Sequence, residues 1–504
     1  MFSAQGCPLR PGDAARFAAF RDLLEKAPFT EKAIAAHLGI EDLTGFVPLR
    51  KGRSDQHGLA CPIDALIRLF LDEDPVAETD LRRLLPGALE LMQPLGLVAP
   101  FPGENWYATV SLYPVGTLYI VSDRSSLPDH SPFKPLPDAV YPVSEQTRFF
   151  LETLPPDACE RLLDIGAGTG IAALAAAAGY AGHAWAFDIA PRATAFAEFN
   201  RRLNGLDNVT AACGALYEPA AGQVFDRIVA HPPYVPVGEA TYIFRDGGED
   251  GEQVTRGIIE GLPRYLAPGG RFYGFCMASD REGEFFEQRI RRWLGDASAE
   301  FDVLLVAWAT VTPDSINSPL STEERQHWAR IYEACRVKYL FHGSIVVERH
   351  AAPRPPFTVR TLKGPQSGWR ETEWLRRWMA AASGGDVERL VLASRPALSS
   401  RVELRVTHRV RNERLVPEEC TLLTTYPFDT ECVCQPWIAQ VVSGCDGRVT
   451  GWDHFANCLR QKVLRPECAP ADFARVLCGM VSGGFLELPE FPLPLAAETT
   501  GAVL

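Results

Sequence analysis

The segment Leu162-Leu-Asp-Ile-Gly-Ala-Gly-Thr-Gly170 decides the fold. A short apolar run that contains Asp164 is followed by three alternating glycines, and an alanine-rich helical pattern begins at Ile171. Glycine tolerates positive φ angles and lets the backbone approach a ligand where any Cβ would intrude. The segment therefore predicts a buried strand, a tight ligand-binding turn and a helix, as in a parallel α/β sheet.

Around this segment, strand and helix patterns alternate from about residue 161 to about residue 349. This alternation is typical of a parallel α/β sheet and predicts a Rossmann-like core of seven strands. The expected strands are 161–165, 184–188, 209–213, 227–230, 271–276, 301–308 and 343–348.

The flanking regions predict smaller α+β domains. Before the core, helical patterns at 15–26, 30–38, 64–71 and 80–95 precede extended runs at 106–114 and 117–123, an order that resembles a winged helix. After the core, residues 401–411 alternate between apolar and charged side chains, and 437–488 is largely helical and again winged-helix-like. We expect three domains, namely 1–130 for substrate docking or capping, 131–350 as the core, and 351–504 as an accessory domain.

Composition excludes some classes of protein. The 504 residues are 46% hydrophobic, and 63 Asp+Glu against 50 Lys+Arg give a net charge of −13, which argues against a protein that coats nucleic acid. The first residues lack a secretory leader, and the one long apolar stretch, 171–187, is rich in Ala and Gly. We therefore expect a cytoplasmic protein without membrane contact, and its 13 cysteines as reduced thiols. Cys432 and Cys434 lack the paired spacing of a zinc site, so no metal is predicted.

Two further strand ends carry polar residues that suggest chemistry. Asp188 ends the second predicted strand, eighteen residues beyond Gly170, where a carboxylate can accept the hydroxyl groups of a ribose. Dinucleotide-binding folds share this feature. The fourth strand ends in His231-Pro-Pro-Tyr234, and this segment separates the two possibilities.

This combination resembles the class I S-adenosylmethionine-dependent methyltransferases, over about residues 138–350. It is similar to the branch with an (Asn/Asp/Ser)-Pro-Pro-(Tyr/Phe) motif, which includes the release-factor glutamine methyltransferases. Two later segments, Phe244-Arg-Asp-Gly-Gly-Glu-Asp-Gly251 and Leu266-Ala-Pro-Gly-Gly270, strengthen the resemblance.

The resemblance implies S-adenosylmethionine as the cofactor and assigns roles to matching positions. Asp164 would lie near the methionine ammonium group, Asp188 would hold the ribose, and the third-strand exit would line the adenine site. The implied cofactor-binding residues are Asp164, Gly166, Gly168, Gly170, Asp188, Ala215, Leu216 and His231. The implied substrate-binding residues are Tyr141, Pro232, Pro233, Tyr234, Arg245 and Asp246, with His231 and Tyr234 as catalytic residues.

His231 departs from the branch, because relatives have Asn at the first motif position. An imidazole cannot reproduce the donor-plus-acceptor fork of a carboxamide. A neutral histidine accepts one proton and titrates near neutral pH, so His231 is a candidate general base. The alternative is that it only shapes the pocket. Either interpretation argues against methylation of a plain glutamine amide.

The sequence leaves the methyl acceptor open. The favoured function is transfer to a nitrogen, or to an oxygen, of a small metabolite or peptide. The alternatives are a protein methyltransferase that acts on a translation factor or ribosomal protein, and a cofactor-sensing regulator that binds nucleic acid. Residues 351–415 hold 13 Arg+Lys against 6 Asp+Glu, which fits either an RNA or acidic ligand or a solvated strand and helix surface. Nucleic acid is not the expected partner, and the oligomeric state is not predicted.

Overall fold

A computed structural model describes residues 6–43, 58–237, 241–315 and 322–495 of the chain. Its strands are β1 (Val76–Ala77), β2 (Val98–Phe101), β3 (Asn105–Ala108), β4 (Ser111–Val115), β5 (Leu118–Ser122), β6 (Cys159–Ile165), β7 (Ala181–Asp188), β8 (Val209–Cys213), β9 (Phe225–Ala230), β10 (Leu266–Arg281), β11 (Phe301–Val311), β12 (Val337–Arg349), β13 (Thr358–Lys363), β14 (Ala397–Leu398), β15 (Glu403–Arg411), β16 (Arg414–Thr424), β17 (Phe428–Cys434) and β18 (Leu486–Glu487).

The α-helices lie between these strands, mostly near the predicted positions. They are α1 (Ala14–Lys26), α2 (Glu31–Leu38), α3 (Pro62–Leu66, continued by a π-helical turn, Ile67–Leu71), α4 (Glu78–Leu84), α5 (Ala88–Met92), α6 (Glu145–Glu152), α7 (Ile171–Gly179), α8 (Pro191–Leu203), α9 (Gln253–Tyr265), α10 (Phe286–Trp293), α11 (Thr322–Ala334), α12 (Trp369–Ala382), α13 (Val387–Ala393), α14 (Pro436–Ser443), α15 (Gly451–Arg460) and α16 (Pro470–Ser482). Among the described residues, no helix combines the length and hydropathy that crossing a membrane requires.

Two units divide the chain. Among the described residues, the first contains 6–43, 58–237, 241–278 and 322–336, and the second contains 279–315 and 337–495. In the first unit, parallel strands have the order β8-β7-β6-β9-β10. The chain order reverses at β6, which lies between β7 and β9, and ligands of open α/β sheets bind beside such a point, at the carboxyl ends of the strands. These five strands confirm the predicted strand positions and the Rossmann-like arrangement.

The N-terminal elements of the first unit share a hydrophobic core with the outer face of α8. Phe196 and Phe199 are buried together with Phe17 and Phe20, and the Phe17 and Phe199 rings lie edge to face at 5.0 Å. At the start of α8, Arg192 donates to Asp123 at 2.6 and 2.8 Å, and both side chains are largely buried. A buried, bidentate pair of this kind is costly to break.

Two predicted elements of this region are divided in the structure. The run 106–114 contributes to two separate hairpins, because β3 ends at Ala108 and β4 begins at Ser111. The helix expected at 80–95 is two short helices, since Pro86 and the positive φ of Gly87 (79°) interrupt it. The structure otherwise keeps the predicted helices at 15–26 and 30–38.

In the second unit, the strand order is β12-β11-β13-β17-β16-β15. All nine residues of β15 are exposed, and Arg409 and Arg411 form ion pairs with Glu418 at 2.6 and 3.0 Å. Trp374 and Trp378 of α12 are buried. The basic stretch thus includes a solvated strand and two core tryptophans.

Candidate functional site

The glycine loop after β6 forms an open cradle at the carboxyl edge of the parallel sheet. Gly166, Gly168 and Gly170 have φ angles of 71°, 54° and 79°, which side chains rarely tolerate. A Cβ built at Gly166 or Gly168 would meet no atom within 4 Å, whereas one at Gly170 would lie 3.0 Å from Ala197 Cβ. The first two glycines therefore leave space for a ligand, and the third packs the loop against α8.

Asp188, the last residue of β7, holds this loop in place. Its Oδ2 accepts a hydrogen bond from the N–H of Gly168 at 2.9 Å, and its Oδ1 accepts one from the N–H of Ala190 at 2.8 Å. Burial raises the pKa of this carboxyl group. Each carboxylate oxygen can accept a further hydrogen bond, so the predicted ribose acceptor lies at the edge of the cradle with acceptor capacity to spare.

Asp164 is buried inside β6, beneath the same loop. Its Oδ2 accepts a hydrogen bond from the N–H of Ala173 at 3.2 Å. Burial, with a smaller contribution from the charge of Asp188, raises the pKa of Asp164 to about 7. A cation nearby would favour the ionised form of such a carboxyl group. The site therefore suits a ligand that carries an ammonium group.

The turn after β8 lies beside Asp188 and contains an acid that the sequence analysis missed. The N–H of Gly214 donates to the carbonyl of Asp188 at 2.9 Å, and Leu216 has a φ of 48°. The N–H of Ala215 donates to Glu218 Oε2 at 3.1 Å. The carboxylate of Glu218 therefore lies beside the backbone of Ala215, one of the implied cofactor-binding residues. The Glu-Pro pair at the start of the 3-10 turn Glu218–Ala220 was the available signal.

His231 lies in an aromatic slot directly after β9. Its ring centroid is 5.5 Å from that of Phe150 on α6 and 5.4 Å from that of Phe275 on β10. The Tyr234 ring is 6.2 Å away at an interplanar angle of 27°. Pro232 is buried and His231 is half-buried, so the imidazole is held at the carboxyl edge with part of its surface accessible.

The loop 244–251 covers the outer side of the motif through close backbone contacts. A Cβ at Gly247 would lie 2.8 Å from the carbonyl oxygen of Pro233, and one at Gly251 would lie 2.5 Å from that of Tyr234. The N–H of Gly247 also donates to the carbonyl of Val235 at 2.8 Å. The carbonyls of Pro233 and Tyr234 therefore face this loop, which glycines allow to approach.

Asp246 and Arg245 occupy different positions in that loop. Asp246 is buried, and its carboxylate accepts from the N–H groups of Thr241 and Tyr242 at 2.6 and 2.7 Å and from Arg245 Nε at 2.8 Å. This carboxylate orders the loop, and its side chain is fully buried in this conformation. The Arg245 guanidinium lies over the Tyr242 ring at 4.9 Å, at a partly exposed position.

Tyr141 lies at the outer rim of this group. Its side chain is 57% exposed, and its ring stacks on Phe244 at 5.4 Å and an interplanar angle of 27°. An exposed aromatic pair of this kind offers a flat surface to a ligand. The structure therefore brings Tyr141 and the loop 244–251 together.

Gln146 is a second residue that the sequence analysis did not single out. The Tyr234 hydroxyl donates to Gln146 Oε1 at 2.7 Å, and burial raises the pKa of Tyr234 to about 12. Gln146 is the second residue of α6, whose N-cap residue Ser144 accepts from the N–H of Thr147 at 3.4 Å. Gln146 and Tyr234 are 88 positions apart in the chain, and no local sequence pattern indicates this contact.

One group of potential metal ligands occurs in the described part of the chain, away from the cradle residues in sequence. His37 Nε2 lies 2.5 Å from Asp64 Oδ1, and Cys61 Sγ lies 3.1 Å from Asp64 Oδ2. The Asp64 carboxylate also accepts from the N–H groups of Ala60 and Cys61 at the start of α3. These contacts are those of a helix-capping carboxylate.

Comparison with known proteins places the site in a family. The family model for the methyltransferase small domain matches residues 142–284. A Methanocaldococcus jannaschii protein named as a protein N5-glutamine methyltransferase is 34% identical over 137 residues, which are 26% of this chain and 68% of that protein.

Two further relatives match over a similar region. A release factor glutamine methyltransferase of Geobacter sulfurreducens is 37% identical over 122 residues, which are 22% of this chain and 42% of the relative. A ribosomal protein uL3 glutamine methyltransferase of Bradyrhizobium diazoefficiens is 32% identical over 168 residues, which are 31% and 52%. The chain thus spans only about half the length of these two relatives.

Proposed function

Because this chain belongs to the S-adenosylmethionine-dependent methyltransferases of the methyltransferase small domain family, we propose that it methylates a nitrogen atom of a protein side chain, with a glutamine carboxamide as the favoured acceptor. One observation carries the proposal: the open glycine cradle and the His231 slot lie at the carboxyl ends of neighbouring parallel strands, β6 and β9. A methyl donor in the cradle and an acceptor at His231 would then be adjacent.

The residues of the cradle fit S-adenosylmethionine. When bound, this cofactor supplies an electrophilic methyl group on a positively charged sulfur. Gly166 and Gly168 leave room for it, Asp164 would neutralise its ammonium group, and Asp188 would accept from its ribose hydroxyls. Glu218 and the 215–216 backbone would line the adenine site.

The chain's own groups would align and deprotonate the acceptor. The bound cofactor would supply the methyl group to the acceptor nitrogen, and the electron pair of the sulfur–methyl bond would stay on its sulfur. The acceptor nitrogen then loses one proton, for which His231 is the nearest basic side chain of the motif. Holding the reacting atoms in line is the main contribution of such a site, and the ring contacts of His231 with Phe150 and Phe275 restrict the imidazole.

The names of the relatives favour a protein acceptor over the small metabolite that the sequence analysis preferred. All three relatives are named for methylation of protein glutamine. An oxygen nucleophile is the second candidate for the methyl acceptor, because the imidazole of His231 can deprotonate a hydroxyl group. Family membership supports turnover over the regulator that the sequence analysis considered.

The proposal extends to the flanking elements. β1, α4, α5, β2 and β3 follow one another with the sheet order β1-β3-β2, which supports the winged-helix interpretation of the N-terminal region. We assign this region to acceptor docking and the C-terminal elements to an accessory role, around the seven-stranded core expected from the sequence. We expect no nucleic acid or membrane partner.

The test uses purified chain, radiolabelled S-adenosylmethionine, a bacterial release factor and ribosomal protein uL3. We expect label in one protein, on a glutamine side-chain nitrogen identified by tandem mass spectrometry. A panel of small amines, amides and alcohols serves as the comparison. Label only in small molecules would overturn the protein acceptor, and no cofactor binding at all would overturn the proposed function.

A further inference from the structure

One face of helix α6 contacts the segment 231–234, which is the motif proposed to hold the methyl acceptor. Gln146 and Phe150 are four residues apart, so their side chains lie one turn apart on the same face of the helix. The first contacts Tyr234 and the second contacts His231, so both ends of the motif meet this face. The Ser144 and Thr147 capping interactions fix where the helix begins.

The carboxamide of Gln146 is only partly used by this contact. A glutamine side chain offers one acceptor oxygen and two N–H donors. Oε1 accepts from the Tyr234 hydroxyl at 2.7 Å, whereas Nε2 has no hydrogen-bond partner among the described residues. Gln146 is exposed, so its two N–H donors remain available on the helix face that also contacts His231 through Phe150.

These donors supply what the motif lacks. A carboxamide at the first motif position could both accept from and donate to an amide substrate, but a neutral His231 has a single ring acceptor. An amide acceptor requires an acceptor for its N–H and a donor for its carbonyl oxygen. His231 supplies the hydrogen-bond acceptor and Gln146 supplies the donor, on the same side of the proposed acceptor site.

We propose that Gln146 is a specificity-determining residue that donates from Nε2 to the carbonyl oxygen of a carboxamide substrate, while His231 accepts from the substrate N–H. Tyr234 is then a positioning residue, since its hydroxyl holds Gln146 Oε1 and turns Nε2 away from itself. This inference rests on the proposed function and deepens it: the acceptor class is a primary carboxamide, despite the loss of the motif asparagine.

The matched variants are Gln146→Glu, which keeps the oxygen that Tyr234 binds but removes both donors, and Glu145→Gln, which changes the neighbouring exposed residue of the same helix. The probes are a synthetic peptide with one glutamine and the same peptide with lysine at that position. For the glutamine peptide we expect Gln146→Glu to raise KM about tenfold or more with a smaller change in kcat, because a hydrogen bond to the acceptor is replaced by repulsion. Glu145→Gln should match the wild type, and cofactor affinity should be unchanged in both variants.

A second readout does not need turnover. In protein labelled with ¹⁵N-glutamine, the side-chain NH₂ signal that Gln146→Glu removes should shift when the glutamine peptide is added in the presence of S-adenosylhomocysteine. The lysine peptide should leave that signal in place.

The outcomes separate the two proposals. If the wild type methylates the glutamine peptide or a protein glutamine but Gln146→Glu behaves the same, the role of Gln146 is wrong and the proposed function stands. A different result would overturn the carboxamide inference. In that result, the wild type methylates no glutamine, whether it methylates lysine or hydroxyl acceptors or nothing at all, and the Gln146 NH₂ signal does not respond to the glutamine peptide. Failure to bind S-adenosylmethionine would remove both.

Discussion

At the scale of single residues, His231 is where this chain differs most from the motif that it resembles. We expect His231→Ala to leave S-adenosylmethionine affinity within a few-fold and to lower turnover about 10²-fold or more, as for loss of an acid–base group. His231→Asn should recover part of the lost turnover on a carboxamide acceptor, because it restores an acceptor and a donor.

Turnover under saturating cofactor, together with calorimetric affinity, checks this expectation. A thermal melt controls for folding, since the imidazole packs against Phe150 and Phe275. Unchanged turnover in a folded His231→Ala variant would show that this side chain only shapes the pocket.

We expect Asp164 to make cofactor affinity depend on pH. Its pKa in the free protein is raised to about 7, so the folded protein binds a proton here that an exposed carboxyl group would release. The stability contribution of this group is therefore greatest at acid pH and is lost as the pH rises towards about 7. A cofactor ammonium group favours the ionised form, so affinity should rise from about pH 5 to about pH 8 and proton release should accompany binding below about pH 7.

Calorimetry in buffers with different ionisation enthalpies measures that proton release. Asp188 also has a raised pKa and faces the same loop, so Asp164→Asn is needed to assign the effect. The variant should bind more weakly with a flatter pH profile. A profile as steep as that of the wild type would show that Asp164 is not the titrating group.

At the scale of secondary-structure elements, α8 connects the glycine loop after β6 to the hairpin formed by β4 and β5. Asn200 is fully buried, and its amide accepts from the N–H of Val121 at 2.8 Å and donates to the carbonyls of Val121 and Thr169 at 2.9 and 3.0 Å. Asn204, one turn later, makes the matching pair of bonds to Tyr119 but none to the loop among the described contacts.

The two asparagines are therefore a matched pair for mutation. Asn200→Ala and Asn204→Ala should both lower the free energy of unfolding, by about 1–3 kcal/mol for buried partners left unsatisfied. Asn200→Ala should also weaken S-adenosylmethionine binding several-fold, because Thr169 lies in the glycine loop. Calorimetry well below both melting temperatures checks this, and equal affinities for the two variants would show that the loop does not depend on α8.

The same elements show what the sequence could and could not predict. The glycine loop, Asp188 and the strands around them are local signals, because φ restrictions and apolar runs act within a few residues. Gln146 and Asn200 were missed because their partners lie 88 and 79 positions away, and a polar residue in a helix carries no sign of them.

Hairpins were harder to predict than helices for a related reason. Residues 106–114 contain one continuous extended pattern, yet β3 and β4 pair with different partners. Strand pairing depends on distant residues, whereas helix starts such as Thr30 before α2 depend on neighbours.

At the scale of the whole molecule, the N-terminal elements are part of the folded methyltransferase unit. Arg192 and Asp123 form a buried ion pair between α8 and the segment after β5, and aromatic residues of both regions share a core. The division into three domains expected from the sequence remains a prediction. In the structure, the first compact unit contains both the N-terminal region and the glycine loop after β6.

The most direct test of the account is a calorimetric titration of S-adenosylmethionine into the wild-type chain and into Asp188→Asn. Asp157→Asn, an exposed carboxylate before β6, is the matched control. We predict one site per chain in the wild type and the control, and an affinity at least about tenfold lower in Asp188→Asn, as expected for loss of a charged hydrogen-bond acceptor. No binding by the wild type, or equal affinity in Asp188→Asn, would contradict the assignment of the cofactor to this edge of the sheet.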